Sequence, residues 1–209
     1  MKPFYQDEQA TIYHGDCRDI LPGLPKVDLV LTDPPYGIGF NYGGYDDSPE
    51  SWFVLMDRVV PQMRNVGAFV VMPCCKIARL AWWYVHHTPD WIICWYKGSP
   101  GHCAQIGFND WEPLLTWGKP PIQMHDYFQS KCGFDDNGHP CPKPIQWAEW
   151  LVKRGCADEG TVIDPFMGSG TTLLAAKNLG RKAIGIEIEE RYCEIAVHRL
   201  RQGVMDLGC

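Results

Sequence analysis

Two short apolar runs, Leu29-Val30-Leu31-Thr32 and Val162-Ile163, each lead into Asp-Pro, and this constrains the fold more than any other feature of the chain. Apolar runs this short, closed by turn-forming residues, read as buried strands. Strands buried on both faces belong to a sheet covered by helices on both sides. The first run continues as Asp33-Pro34-Pro35-Tyr36. Its prolines fix φ and bias the residues before them to extended geometry, so a carboxylate and a flat ring leave the strand end in set directions. An acceptor beside a stacking surface suits a planar amine. The second run continues as Asp164-Pro165-Phe166-Met167-Gly168-Ser169-Gly170-Thr171-Thr172, a glycine-bearing turn into a helix.

Strand and helix patterns alternate along the rest of the chain, which predicts α/β architecture with a mostly parallel central sheet. Strands are expected at 12–14, 28–32, 68–72, 91–96, 113–117, 161–164 and 183–187. Helices are expected around 19–21, from Ser48 or Pro49 through Val59, and at 75–86, 144–154, 171–179 and 190–201. Pro144 at a first turn and Gly180 after a last one mark two of the boundaries. Gly37 to Ser48 has a composition that favours a mobile loop, suited to a lid over a site. Residues 97–142 read as loops plus one hairpin-like strand, and any specificity element belongs there. Trp82, Trp83, Tyr84, Trp91 and Trp95 read as core.

The chain has 209 residues and no composition shift, which points to one domain, 1–209. Hydrophobic residues at 45% and charged ones at 21% are ordinary for a soluble globular protein. No apolar stretch approaches membrane-spanning length and no leader pattern opens the sequence, so the expected location is the cytoplasm with no membrane contact. The 10 cysteines include no Cys-x-x-Cys pair and read as reduced, mostly buried thiols. Cys132, His139 and Cys141 fit no standard zinc spacing, and no metal is expected. The net charge of −6 argues against indiscriminate affinity for a polyanion. Arg58, Arg64, Lys76, Arg79, Lys97, Lys119 and Lys131 lie between the two motifs, as a nucleic-acid surface or as scattered solvated residues. His86, His87 and His102 read as surface or satisfied histidines, with phosphate contact the alternative.

Gly168 and Gly170 let backbone approach a ligand, and the helix beginning at Thr171 presents free N–H groups to an anion. The string lacks the phosphate-loop Gly-Lys-Ser/Thr and the complete Gly-x-Gly-x-x-Gly fingerprint. Glu187 ends the next strand at the distance where an acidic residue binds ribose hydroxyls. A ribose and a small carboxylate without phosphates fit S-adenosylmethionine.

With these motifs, Gly15-Asp16, His139-Pro140-Cys141-Pro142-Lys143-Pro144, Gly180-Arg181 and Gly185-Ile186-Glu187, the chain resembles the amino-group DNA methyltransferases over nearly its whole length. The acceptor motif precedes the cofactor motif, the permuted order of that family's β class. The resemblance implies a Rossmann-like class I methyltransferase fold, helices on both faces, with circularly permuted motif order. It assigns 1–97 to a catalytic half, 98–142 to target recognition and 143–209 to cofactor binding. Asp16 then meets the cofactor adenine, Glu187 the ribose, Asp164 through Thr172 the methionine end, Phe166 included, and Lys143 the methionine carboxylate.

On the acceptor side, an exocyclic amine is a poor nucleophile because its lone pair is delocalised into the ring. Asp33 and the carbonyl of Pro34 can each accept one N–H and aim that lone pair at the sulfonium methyl. Tyr36 stacks on a base extruded from the duplex. Asp rather than Ser at this position leans toward N6 of adenine. N4 of cytosine is the alternative, with RNA or a glutamine side chain behind it. A cofactor- or DNA-binding module without turnover is the alternative from another class. Asn109, Trp111 and Glu112 could border the target pocket, although no spacing argument singles them out. The recognition segment is short for the family, which predicts a short site, loose specificity, or a homodimer that shares DNA contacts.

Overall fold

The computed structural model describes residues 2–40, 45–97, 103–104, 107–108, 110–123, 125–130 and 143–202. In chain order the elements are β1 (Tyr5–Gln6), β2 (Ala10–His14), α1 (Cys17–Ile20), β3 (Val27–Leu31), α2 (Pro49–Val66), β4 (Gly67–Pro73), α3 (Leu80–His86) and β5 (Trp91–Tyr96). There follow β6 (Cys103–Ala104), β7 (Gly107–Phe108), β8 (Trp111–Gly118), β9 (Tyr127–Gln129), α4 (Ile145–Gly155), β10 (Thr161–Asp164), α5 (Thr171–Asn178), β11 (Lys182–Glu187) and α6 (Glu190–Gln202).

Nine strands form one sheet in the order β1-β2-β11-β10-β3-β4-β8-β5-β9, while β6 and β7 pair separately as a hairpin. From β2 through β4 all neighbours run parallel. Strand β8 runs antiparallel to both β4 and β5. The expected mostly parallel sheet with helices on both faces is therefore observed.

Side chains alternate across the strands, and each face builds its own core. Leu29, Leu31, Phe69, Val71 and Val162 join residues of α4, α5 and α6 on one side. Val30, Val70, Met72, Ile163 and Ile186 join α1, α2 and α3 on the other. Helix α2 shows why its sequence is helical: Ser48 caps it by accepting from Ser51 N, Pro49 occupies the first turn, and Trp52, Leu55, Met56, Val59, Val60 and Met63 form the buried stripe.

Several expectations are corrected. The helix expected from Cys75 begins as α3 at Leu80, after a short 3-10 turn at Ile77–Arg79. Cys75 itself has φ 69, which no helical residue adopts. Tyr84 is 50% and Trp91 62% exposed, so these two lie outside the core that buries Trp83 and Trp95. The flanks of the expected lid are firmly held: the buried Asp47 carboxylate accepts from the N–H groups of Gly37, Ile38 and Phe40. Residues 41–44 at its centre lie outside the described residues, as do Cys132, His139 and Cys141. Among the described residues no helix is long and apolar enough to cross a membrane, and no group of His, Cys, Asp and Glu could hold a metal ion. The cysteines described with side chains are all free thiols, and Cys17, Cys74, Cys156 and Cys193 are buried.

Leu29 is fully buried at the centre of the first core. Leu29→Ala is expected to lower stability by about 2–5 kcal/mol, read from urea unfolding.

Candidate active site

Strands β3 and β10 are parallel neighbours, but the chain leaves them toward opposite faces: α2 packs in the core on one side and α5 in the core on the other. This is a topological switch point, where the carboxyl ends of the strands open a crevice. A cavity of about 410 Å³ lies there, lined by residues that follow β2, β3, β10 and β11, together with Lys97, Glu112, Lys143 and Trp147. Its size suits a cofactor-sized ligand. Asp16, Asp33, Pro34, Pro35, Tyr36, Lys143, Asp164, Phe166, Gly168, Ser169, Thr171, Thr172 and Glu187 all line it. Gly170 alone of the sequence-derived residues does not. It serves from behind: its φ is +81, and a Cβ there would lie 2.9 Å from Ala196 Cβ of α6.

At one end, the loop after β10 turns into α5 with no side-chain cap on the helix, and Thr171 and Thr172 of its first turn line the cavity. An uncapped helix start favours an anion. Arg199 of α6 braces the loop, donating from Nη1 to Ser169 O at 2.7 Å and to Thr171 Oγ1 at 3.2 Å. Asp164 sits beneath, accepting from Thr32 Oγ1 at 2.6 Å and from Phe166 N at 3.1 Å. Burial pushes its carboxyl up to about 7, against the hydrogen bonds from Thr32 and Thr172 and helped by the charge on Asp33. Glu187, at the end of β11, accepts from Gly168 N at 2.9 Å and Glu189 N at 2.8 Å, while burial raises its pKa. Asp16 caps α1 and pairs with Arg18, whose hydrogen bonds hold its carboxyl below the usual range.

At the other end the Asp33–Tyr36 segment meets two lysines and a glutamate. Tyr36 Oη is 2.9 Å from Asp33 Oδ1, 2.8 Å from Glu112 Oε1 and 2.8 Å from Lys143 Nζ. Lys143 Nζ is also 3.4 Å from Asp33 Oδ1 and 3.7 Å from Glu112 Oε1, and Lys97 Nζ is 3.1 Å from Glu112 Oε2. Burial raises the Asp33 pKa, with Lys143 opposing and Glu112 adding to the rise. Glu112 moves the other way, because Lys143 and Lys97 outweigh its burial. Lys143 is raised, since the two carboxylates outweigh its own burial.

Lys143, expected at the methionine carboxylate, is thus placed on Tyr36 and Asp33, with its ammonium 5.2 Å from the centre of the Tyr36 ring. Glu112 and Lys97 enter the site although sequence gave them no role there beyond a bordering position for Glu112. The available signal was a charged residue beside Pro113, Leu114 and Leu115 in a strand with Glu112 as its single charge. Arg79 was also unforeseen: it lies over the Trp52 ring at 3.9 Å and donates to the carbonyls of Tyr36 and Gly37. Trp111 is 39% exposed, and His102 and Asn109 lie outside the residues whose side chains are described. His87 pairs with Asp57 at 2.9 Å.

A doubly wound sheet with a ligand cavity at its switch point, an uncapped helix start on one side and a carboxylate beside a tyrosine on the other, places the chain among the α/β proteins that bind ligands in such a crevice. The DNA methylase family model matches residues 109–198. Type II methyltransferase M2.LlaDCHI of Lactococcus lactis subsp. cremoris is 45% identical, over 97% of this chain and 93% of the relative. The M1.HpyAVI–SAM complex is 27% identical with a TM-score of 0.68, covering 91% of this chain and 98% of that one. The PvuII DNA methyltransferase, described as cytosine-N4-specific, has a TM-score of 0.72 at 19% identity over 95% of this chain and 88% of its own, a likeness of fold. The chain belongs to the amino-group DNA methyltransferases.

The Asp164 carboxyl titrates near 7 in the folded protein and at its ordinary 3.8 in the unfolded chain. Between those values the native state holds the extra proton, so this contribution to stability is full below the unfolded value and is lost as pH rises to about 7. Asp164→Asn is expected to make the fall in stability from roughly pH 4 to 7 shallower, in urea midpoints taken across that range. Asp33 and Glu187, raised in the same sense, retain part of the fall.

Proposed function

We propose that this enzyme methylates N6 of adenine in DNA, with S-adenosylmethionine as the donor. The observation that carries the reading is the placement of Asp33 and the α5 start on two walls of one cavity. The residues present fit the donor: an uncapped helix start for its carboxylate, Glu187 for the ribose hydroxyls, and Asp16 with Ile188 and Tyr192 for the adenine. Bound there, it supplies a methyl made electrophilic by the sulfonium.

The chain's own residues orient the acceptor. Both contacts to Asp33 fall on Oδ1, which leaves Oδ2 unengaged among the described residues to accept one amine N–H. The carbonyl of Pro34 takes the other, and the nitrogen lone pair then points along the cavity. The target base is extruded from the duplex and stacks on Tyr36, and such stacking, about 1–3 kcal/mol, offsets part of the unstacking. A carboxylate here, where serine more often accompanies cytosine in the family, favours adenine. Residues 1–209 act as one methyltransferase domain, with 98–142 reading the target and a homodimer sharing the DNA.

Incubation with unmodified DNA and donor, followed by nucleoside analysis, is expected to yield N6-methyladenine. N4-methylcytosine would overturn the choice of base, and donor binding without transfer to any DNA would falsify the enzyme reading. Asp33→Ala is expected to lower kcat by about 10²–10³-fold with donor affinity by calorimetry unchanged.

A further inference from the structure

Tyr36 Oη stands between two carboxylates, 2.9 Å from Asp33 and 2.8 Å from Glu112, while accepting from Lys143 at 2.8 Å. A phenol has one proton to donate. Both oxygen–oxygen contacts become hydrogen bonds only when one carboxyl brings a second proton. Glu112 is the wrong carrier, because Lys143 and Lys97 favour its charged form over the effect of its burial. Asp33 is the right one, since burial and the charge on Glu112 raise its proton affinity against Lys143. The set closes when Asp33 donates to Tyr36 Oη, Tyr36 donates to Glu112, and Lys143 donates to the second lone pair of the phenol.

We infer that Glu112 is a positioning residue of the transfer site: by drawing the Tyr36 hydroxyl proton to itself, it leaves Tyr36 Oη open to a proton on Asp33, which can then hold the proton released by the target amine. The inference rests on the reading of Asp33 as the amine's acceptor. As the nitrogen lone pair forms the new N–C bond, the S–C pair returns to sulfur and positive charge passes to nitrogen. The N–H pair then stays on nitrogen while the proton moves to the Asp33 carboxylate. The proton arrives on Oδ2, and a half-turn of the carboxyl group brings it to Tyr36 Oη, whose contacts to Glu112 and Lys143 are already in hydrogen-bond geometry.

Besides burial, the groups that face Asp33 among the described residues are Lys143 just before α4, Glu112 on β8, Tyr36 on its own segment, Asp164 at the end of β10 and Cys75 after β4. Asp33 must be ionised to accept, so activity falls as pH drops through its pKa. Glu112→Gln removes a negative neighbour and leaves Lys143 to Asp33 alone. In single-turnover methylation of DNA, this variant is expected to lose about tenfold or more in plateau rate, and its acid limb is expected to move to lower pH. Its KM for the donor stays within about twofold of the parent. Tyr36→Phe keeps the ring but removes the oxygen that accepts the proton held on Asp33, so its acid limb moves to lower pH. A parental plateau and an unmoved limb in Glu112→Gln overturn the inference. Should that variant fail to fold, an unmoved or raised limb in Tyr36→Phe does the same. Asp33→Ala separates the two readings: full rate there removes Asp33 as acceptor, whereas an inactive, donor-binding Asp33→Ala beside a parental Glu112→Gln removes only the role of Glu112.

Discussion

Thr32 donates to Asp164 across 2.6 Å at the buried ends of β3 and β10, and the site depends on that junction. The two residues are 132 positions apart in sequence yet stand at the ends of adjacent strands, Thr32 just past β3 and Asp164 last in β10. Each strand end is immediately followed by one half of the site, Asp33–Tyr36 after β3 and Phe166–Thr172 after β10. Parallel pairing fixes the relative height of the two ends, so the register of Val162 with Leu29 and of Ile163 with Val30 sets how far apart donor and acceptor can be held. A slip of one residue would turn every side chain of β3 into the opposite core. The site is therefore as precise as the sheet is.

The parts legible in sequence were those whose signal is local. Strands β5 and β10 run over the residues expected, because apolar alternation and flanking turns determine a strand's extent within a few positions. The Asp33–Tyr36 and Asp164–Thr172 strings carry their chemistry in consecutive residues. What escaped was what arrives from elsewhere. Glu112 reaches the cavity because β8 runs antiparallel, which brings the first residues of that strand to the end where β4 and β5 finish. No periodicity within β8 states which neighbour it will take. Arg79 was similarly hidden: it reads as one more surface cation until the fold sets it on Trp52. The late start of α3 has a local cause, the positive φ of Cys75, but no residue-type signal announces it, since left-handed backbone is rare outside glycine, Asn and Asp.

The order of motifs along the chain matters less than their order in the sheet. The elements after α4 pack beside those at the beginning: β11 pairs with β2, Lys177 of α5 bonds Asp7 at 2.9 Å, and Arg201 of α6 lies 5.4 Å from the Tyr5 ring centre. Strands drawn from both ends of the sequence thus form one continuous parallel run, and the switch point falls between β10 and β3, where the permuted order joins them. Helix α4 leads into β10, and Lys143 just before it brings its charge to Asp33, which follows β3.

Charge is arranged inward as well as outward. Of the cations between the two motifs, Lys97 is bound to Glu112 and Arg79 to backbone carbonyls and an indole, so neither is set on the surface as a phosphate contact. Arg58 is half-exposed and paired with Asp19. With a net charge of −6, the described surface offers little of the counterion release on which nonspecific DNA affinity depends. The acceptor end instead concentrates Asp33, Glu112, Lys97 and Lys143 around one phenol, a balanced set that need not recruit ions from solvent. For the base proposed to enter there, these fixed hydrogen bonds are already in place and need little reorganisation.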